Sequence, residues 1–312
     1  MKRINGFIGT ALLTAAVICL GGCSFGGRTN YEYANGDKYT AGDRDITDRI
    51  EKIDINYMSG DVKLTGSTSD QVTIRETSLR QLDEKQKVHT WVDGSTLYVR
   101  YCASAKNLDL FDLKKNLEIT VPSSVRLSDL KTDMSSGDIA FYGIETGNFD
   151  VSASSGNVAA DIASDSVNIG TNSGNIELTL EKDCGTVSLS ASSGDILAAV
   201  KNADKMDASA SSGSINIRAE SIRDLKTNNS SGDQNLYFER EPEAADISAS
   251  SGDVTCNLPG DADLAATLEV SSGKVTYDLP LSKSGDDIYV CGNGTNRLKI
   301  QTSSGDIRLL KN

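Results

Sequence analysis

The sequence predicts an all-β protein: a single-stranded parallel β-solenoid (β-helix-like) of 19–20-residue rungs with an N-terminal capping β-sheet. Three observations carry that prediction. A Ser-Gly turn, mostly followed by Asp or Asn, recurs at Gly60, Gly137, Gly156, Gly174, Gly194, Gly213, Gly232, Gly252, Gly273 and Gly305. From Gly137 to Gly273 the spacings are 19, 18, 20, 19, 19, 20 and 21 residues, and a fixed period near 20 is the signature of a solenoid. On both sides of each glycine apolar residues alternate with period two, the pattern of short strands with one buried face. A leucine-rich repeat has a similar period, but no helical stretch or leucine ladder fits between these turns.

Residues 1–22 are read as a signal peptide and not as part of the fold. Lys2 and Arg3 precede an apolar run of 14 residues, Phe7 to Leu20. That run is shorter than the ~20 residues a spanning helix needs. The following Leu20-Gly21-Gly22-Cys23 resembles the lipobox of bacterial lipoproteins, whose cysteine is acylated on its thiol and becomes the new N-terminus. Cys23 is therefore the expected lipidation site. Several acyl chains on one residue would hold the mature protein on the extracytoplasmic face of the cell membrane. Residues 23–48 are polar, contain glycine and show no apolar period, so they are expected to form a flexible tether of about 25 residues.

Residues 49–130 hold the first rung and the expected cap. Strands are predicted around Gln71–Glu76, Val88–Val92, Thr96–Tyr101 and Leu117–Val121, with Asp93-Gly94 as a hairpin turn. A cap is expected because the open end of a stacked sheet exposes unpaired backbone groups.

Residues 131–312 carry the remaining repeats. Two residues after each glycine stand Ile139, Val158, Ile176, Ile196, Ile215, Gln234, Val254, Val275 and Ile307. Five residues before it stand Thr132, Val151, Ile169, Leu189, Ala208, Thr227, Ile247, Leu268 and Ile300. Stacked at ~4.8 Å, such rungs bury these columns between two sheets. The residue before each glycine is serine in every copy: Ser136, Ser155, Ser173, Ser193, Ser212, Ser231, Ser251, Ser272 and Ser304, with Ser59 in the first rung. Counted along the strand that leads into the turn, these serines share parity with the inward column five residues before the glycine. They are expected to form an interior ladder of hydroxyls, each donating to one neighbouring rung and accepting from the other. The glycines beside them are expected to supply positive φ or close approach of rungs. The gap of 32 residues between Gly273 and Gly305 is read as a hairpin insertion near residues 281–300, turning at Gly292-Asn293-Gly294.

The net charge is −13, and −15 once Lys2 and Arg3 leave with the signal, so a nucleic-acid backbone is not an expected partner. His89 is the only histidine, which removes mechanisms that need two imidazoles. Cys102, Cys184, Cys256 and Cys291 lie 82, 72 and 35 residues apart; this fits no metal-binding cluster, and no bridge is assigned. The column Asp61, Asp138, Asn157, Asn175, Asp195, Asp233, Asp253 and Asp306 could offer oxygen ligands to a cation. Asx side chains are also common turn formers, however, and Ser214 and Lys274 interrupt the column. His89, Trp91 and Tyr98 could mark a sugar site, but their spacing equally describes a half-exposed strand. No metal, cofactor or catalytic residue is assigned.

The stretch LEITVPSSVRLSDLKTDMSSGDIAF, Leu117 to Phe141, with the Ser-Ser-Gly-Asp rungs after it, resembles the bacterial putative-adhesin family of β-solenoid surface domains over roughly residues 48–312. The resemblance implies a non-enzymatic cell-surface protein in adhesion or envelope sensing. The family carries no catalytic or binding residues to transfer. The expected partners are the membrane, through the lipid, and a cell-envelope polysaccharide or surface protein. Two alternatives stand beside this reading: a polysaccharide-active β-helix enzyme, and an envelope-stress regulatory domain that binds cationic peptides or a membrane partner.

Overall fold

The computed structural model describes residues 29–110, 113 and 115–312, so the signal and Cys23 lie outside the described residues. Among the described residues the one helical element is a short turn, Gly36–Lys38, and the rest is strand and loop. The chain opens with β1 (Thr29–Tyr31), β2 (Thr40–Ala41) and β3 (Arg44–Ile46). Next, β4 (Lys52–Ser59) and β5 (Val62–Ser67) bend about Gly60 as the first rung. Then β6 (Val72–Ser78), β7 (His89–Asp93), β8 (Thr96–Arg100), β9 (Ala105–Leu108) and β10 (Lys115–Pro122) complete the cap. β7 and β8 form an antiparallel hairpin closing at Asp93 and Thr96, with Gly94 at φ +60°.

The body follows in long strands: β11 (Arg126–Ser136) leads into the turn at Gly137, and β12 (Ile139–Ser155), β13 (Val158–Ser173), β14 (Ile176–Ser193), β15 (Ile196–Ser212) and β16 (Ile215–Ser231) each run from one Ser-Gly turn to the next. Later rungs split into β17 (Gln234–Phe238) and β18 (Ala244–Ser251), then β19 (Val254–Leu258) and β20 (Leu264–Ser272). The chain ends with β21 (Val275–Tyr277), β22 (Ser282–Lys283), β23 (Ile288–Cys291), β24 (Asn296–Ser304) and β25 (Ile307–Lys311). Pairing between rungs is parallel and, apart from register shifts near the middle of β12, β13 and β14, aligns the repeats, so that Ser155 lies beside Ser136 and Ser173, and Val158 beside Ile139 and Ile176.

The inward columns are buried as the alternation predicts, except at Val275 on the terminal rung, which is only half-buried. Ile139, Val158, Ile176, Ile196 and Ile215 are at most 1% exposed, and so are Val151, Ile169, Leu189, Ala208 and Ile247. The two halves of a long strand meet across this core: the Phe141 and Phe149 rings lie 4.8 Å apart, edge to face. Gln234, the polar member of its column, is fully buried and satisfied there. Its Oε1 accepts from Thr227 Oγ1 at 2.5 Å, and its Nε2 donates to the Ser248 carbonyl at 2.7 Å.

Three expectations need correction. Residues 29–48 do not form a tether. β1 pairs with β9, β2 with β7 and β3 with β6, and Tyr31 and Ile46 are buried. The segment has too few apolar residues to display a period, and its burial comes from partners far along the chain: Tyr33 Oη donates to the Cys102 carbonyl at 2.8 Å.

The serine ladder does not face the core. Ser136, Ser155, Ser173, Ser193, Ser212, Ser231, Ser251, Ser272 and Ser304 are exposed. The expectation extends the alternation of the preceding strand into the corner, where it stops: Ala153 is buried but Ser154 and Ser155 are both exposed. In fact the corner is filled by glycine backbone, and the serine side chain is left on the outer edge.

The expected hairpin about Gly292-Asn293-Gly294 does not pair with itself either. β23 runs antiparallel to β20, β24 runs parallel to the other edge of β20, and the local hairpin is β22 with β23. In consequence the last two rungs are out of chain order. β24 and β25 lie between the rung of Gly252 and that of Gly273. The C-terminal strand therefore has a neighbour on each side, which suppresses the fraying usual at chain ends.

Candidate functional site

The repeated corner is built by two ladders. The backbone N–H groups of Gly137, Gly156, Gly174, Gly194, Gly213, Gly232, Gly252 and Gly305 donate to the carbonyl of the serine on the adjacent rung, as from Gly156 to Ser173 at 2.8 Å and from Gly174 to Ser193 at 3.0 Å. A Cβ on Gly194 would meet the carbonyl oxygen of Gly174 at 2.0 Å, so the rungs can stack at this spacing only without side chains at the corner.

The Asx column forms the second ladder. Each Oδ1 accepts the backbone N–H of the following residue in the column: Asp138 from Asn157 at 2.8 Å, Asn157 from Asn175 at 2.9 Å, Asn175 from Asp195 at 2.8 Å and Asp195 from Ser214 at 2.7 Å. It resumes from Asp233 to Asp253 and from Asp253 to Asp306, and ends where Asp306 accepts from Lys274 at 3.0 Å. These carboxylates and amides thus bond the adjacent rung rather than their own turn. Lys274, which offers no acceptor, stands on the terminal rung where no further rung follows. Among the described residues no group of three His, Cys, Asp or Glu side chains is placed to hold a metal ion.

Beside the corner, the outer surface of the strands that precede the glycines forms a shallow trough. One stretch, of about 320 Å³, is lined by residues including Asn56, Ser152, Ser154, Asn172 and Ser190. The next, of about 380 Å³, is lined by Ser190, Ser192, Ser209, Ser211, Asn228 and Ser248 among others. The shared Ser190 makes them one trough along the stack. Apart from Asp133 and Met134, its lining residues are uncharged and small, which is unusual on a chain that is 24% charged. Hydroxyl and amide groups repeated at the rung spacing can donate and accept hydrogen bonds along an extended ligand. No side chain in the trough pairs a nucleophile with a base.

Sequence reasoning left His89, Trp91 and Tyr98 undecided. Trp91 lies opposite Tyr98 on the paired strands, the rings 5.4 Å apart and near parallel, whereas His89 is nearly buried and its Nδ1–H donates to the Lys87 carbonyl at 2.9 Å. Burial holds the His89 pKa below its ordinary value. The structure adds aromatic partners that the sequence reading missed. Tyr39 packs 5.6 Å from Trp91, Tyr33 4.8 Å from Tyr39, and Tyr31 5.5 Å from Tyr33, while Lys38 Nζ lies 4.7 Å over the Trp91 ring. The available signal was the clustering of Tyr31, Tyr33 and Tyr39 in an otherwise polar segment.

Two buried or clustered charges were also missed. Lys115, fully buried, pairs with Glu76 Oε1 at 2.8 Å, donates to the carbonyls of Gln86 and Tyr101, and lies 4.0 Å from the Tyr101 ring. Glu76 in turn accepts from Tyr57 Oη at 3.0 Å and from the Val88 N–H at 2.8 Å. Burial lowers the Lys115 pKa, opposed by Glu76. At the far end, Asp263 accepts from the Thr295 hydroxyl at 2.8 Å and from the N–H groups of Asn293 and Gly294 at 2.6 and 2.7 Å. These bonds, led by the Thr295 hydroxyl, bring its pKa down to about 2. Asp263 thereby grips the turn that carries the chain past β20. Cys184, Cys256 and Cys291 are free thiols, and these three and Cys102 are all buried.

Among the described residues no helix is long and apolar enough to cross a membrane. No curated protein matches the chain. Crystal structures similar to it include a putative adhesin from Bacteroides fragilis, 16% identical, covering 86% of this chain and 95% of that one at a TM-score of 0.41. Another is a putative adhesin from Parabacteroides distasonis, 14% identical, covering 87% and 97% at 0.46. A third, described as a putative lipid binding protein from Parabacteroides distasonis, is 18% identical and covers 86% and 96% at 0.42. The Toastrack DUF4097 family matches residues 50–310, and with its stacked Ser-Gly rungs the chain belongs to that family.

Proposed function

We propose that this protein is a membrane-anchored, extracytoplasmic, adhesin-like module that binds an envelope polysaccharide or surface protein without cleaving it. The anchor is the lipidated Cys23, and the binding face is the trough beside the Ser-Gly corner. The observation that carries the reading is the trough itself: a row of hydroxyl and amide groups, charged only at Asp133, on an acidic protein and spaced by the rungs. Such a face suits a neutral, extended, hydrogen-bonding ligand.

The test incubates the full lipoprotein, in detergent, with isolated bacterial envelopes and purified polysaccharides, and scores retention together with release of new sugar ends. Retention without cleavage is expected, with little dependence on salt, and a Ser190→Glu, Ser209→Glu double variant is expected to lose it. Cleavage that persists after repurification would overturn the non-enzymatic reading. Retention abolished by salt would favour the alternative of cationic-peptide binding by the acidic surface.

A further inference from the structure

We propose that the aromatic patch on the cap is a bilayer contact, seating the cap in the lipid headgroup region while the solenoid projects away from it. The inference rests on the reading of Cys23 as the lipid anchor and adds where the body lies relative to the membrane. With residues 29–48 folded onto the cap, only five residues lie between Cys23 and Thr29, a distance of six residue steps. Fully extended, that spans about 20 Å. A free tether of 25 residues would reach about 80 Å or more. β1 is thus leashed close to the surface, and with it everything it packs against.

What it packs against is suited to that surface. Tyr33, Tyr39, Trp91 and Tyr98 are each half-buried and form a continuous run of ring contacts, 4.8, 5.6 and 5.4 Å between successive centroids. Tyr and Trp concentrate at membrane–water interfaces because an apolar ring and a polar tip match the headgroup boundary. Lys38, exposed and lying over Trp91, can keep its ammonium at the phosphates while its stem covers the ring. In the same cap Leu79 is 84% exposed, the highest value among the exposed large apolar side chains of the described residues. Once Lys2 and Arg3 leave with the signal, the net charge of −13 becomes −15, which gives no general attraction to an anionic leaflet and leaves the rings as the source of adhesion. A stacked sugar is a poorer occupant. Trp91 already has Tyr98 stacked on it, Tyr39 tilted against it and Lys38 over its ring, so the face a sugar would need is taken.

Trp91 is the only tryptophan of the chain, so its fluorescence reports this patch alone. The full lipoprotein is reconstituted into phosphatidylcholine vesicles with and without phospholipid brominated high on the acyl chain, which quenches only near contact. Flotation with the vesicles and the mass of the N-terminal peptide report the anchor separately. The expected result is flotation, an acylated Cys23, and a loss of Trp91 emission in brominated vesicles that a Tyr33→Ser, Tyr39→Ser variant reverses while still floating. Flotation with acylated Cys23 but no quenching would overturn the seating of the cap and leave the anchor standing. Quenching that survives in the variant would overturn the role of the aromatic run. Absence of acylation and flotation would overturn both, because the short leash would be gone.

Discussion

Replacing Gly194 by alanine puts a methyl group where two rungs touch. The added Cβ would lie 2.0 Å from the Gly174 carbonyl oxygen and 2.5 Å from its carbon, against backbone that cannot swing aside. The residue would also hold φ at +150°, where an L side chain is strained at a cost of about 1–3 kcal/mol. Relief requires the rungs to part. That weakens the bonds from Gly174 N–H to Ser193 at 3.0 Å and from Ile176 N–H to Asp195 at 2.9 Å, each contributing about 0.5–1.5 kcal/mol. The expected destabilisation is therefore about 2–6 kcal/mol, by the sum of these terms. Ser193→Ala is the control: its side chain is exposed, and the change should stay within about 0.5 kcal/mol. Urea unfolding followed by circular dichroism measures both. Because a solenoid can open locally, hydrogen exchange at the Ile176 and Ser214 amides reports the neighbouring rungs. If Gly194→Ala were as stable and as protected as Ser193→Ala, the glycine ladder would not set the corner. If Ser193→Ala proved the costly change, the interior serine ladder would be restored.

Lys115→Met strands the buried Glu76 carboxylate and should cost about 3–5 kcal/mol, whereas adding Glu76→Gln should recover most of it. A double-mutant cycle on urea midpoints checks this, and a double variant as unstable as the single one would sink the pairing argument. The Asp263 latch should hold at neutral pH and weaken in acid. Its folded pKa, about 2, lies below the ordinary value of 3.8, so its contribution is present above pH ~4 and is lost as pH falls toward 2. Asp263→Asn should remove that acid dependence from hydrogen exchange at Gly294, and an unchanged acid profile in the variant would refute it. Lys274→Asn would extend the Asx ladder to the exposed terminal rung and remove an edge lysine. Concentration-dependent self-association in analytical ultracentrifugation is expected for this variant, and persistent behaviour like the parent chain would show that the end is blocked by something else.

Much of the body was legible because periodicity reports which side of a strand meets the core. The spacing of the glycines set the rung length, and the alternation named Ile176, Ile196, Leu189 and Ile247 as buried before any fold was known. The Asx column was also visible, but its purpose was not. Whether a carboxylate caps its own turn or the next rung depends on how closely the rungs stack, a distance no single repeat encodes. The candidate trough was hidden for a similar reason. Ser152, Ser190 and Ser209 are unremarkable alone, and only stacking aligns them into an uncharged row.

The sequence by itself determined the repeat, its strands and the inward columns, because these depend on residues a few positions apart. Only the tertiary structure decided what happens where the chain turns or pairs at long range. It turned the serines outward, because the interior of the corner is occupied by glycine backbone. It folded Tyr31 onto a cap whose pairing strand begins at Ala105, and it slid the last strand in before the rung of Gly273. Local pattern specifies a strand's two faces; which edge that strand joins is set by the shape, hydrogen-bonding groups and burial offered by distant segments.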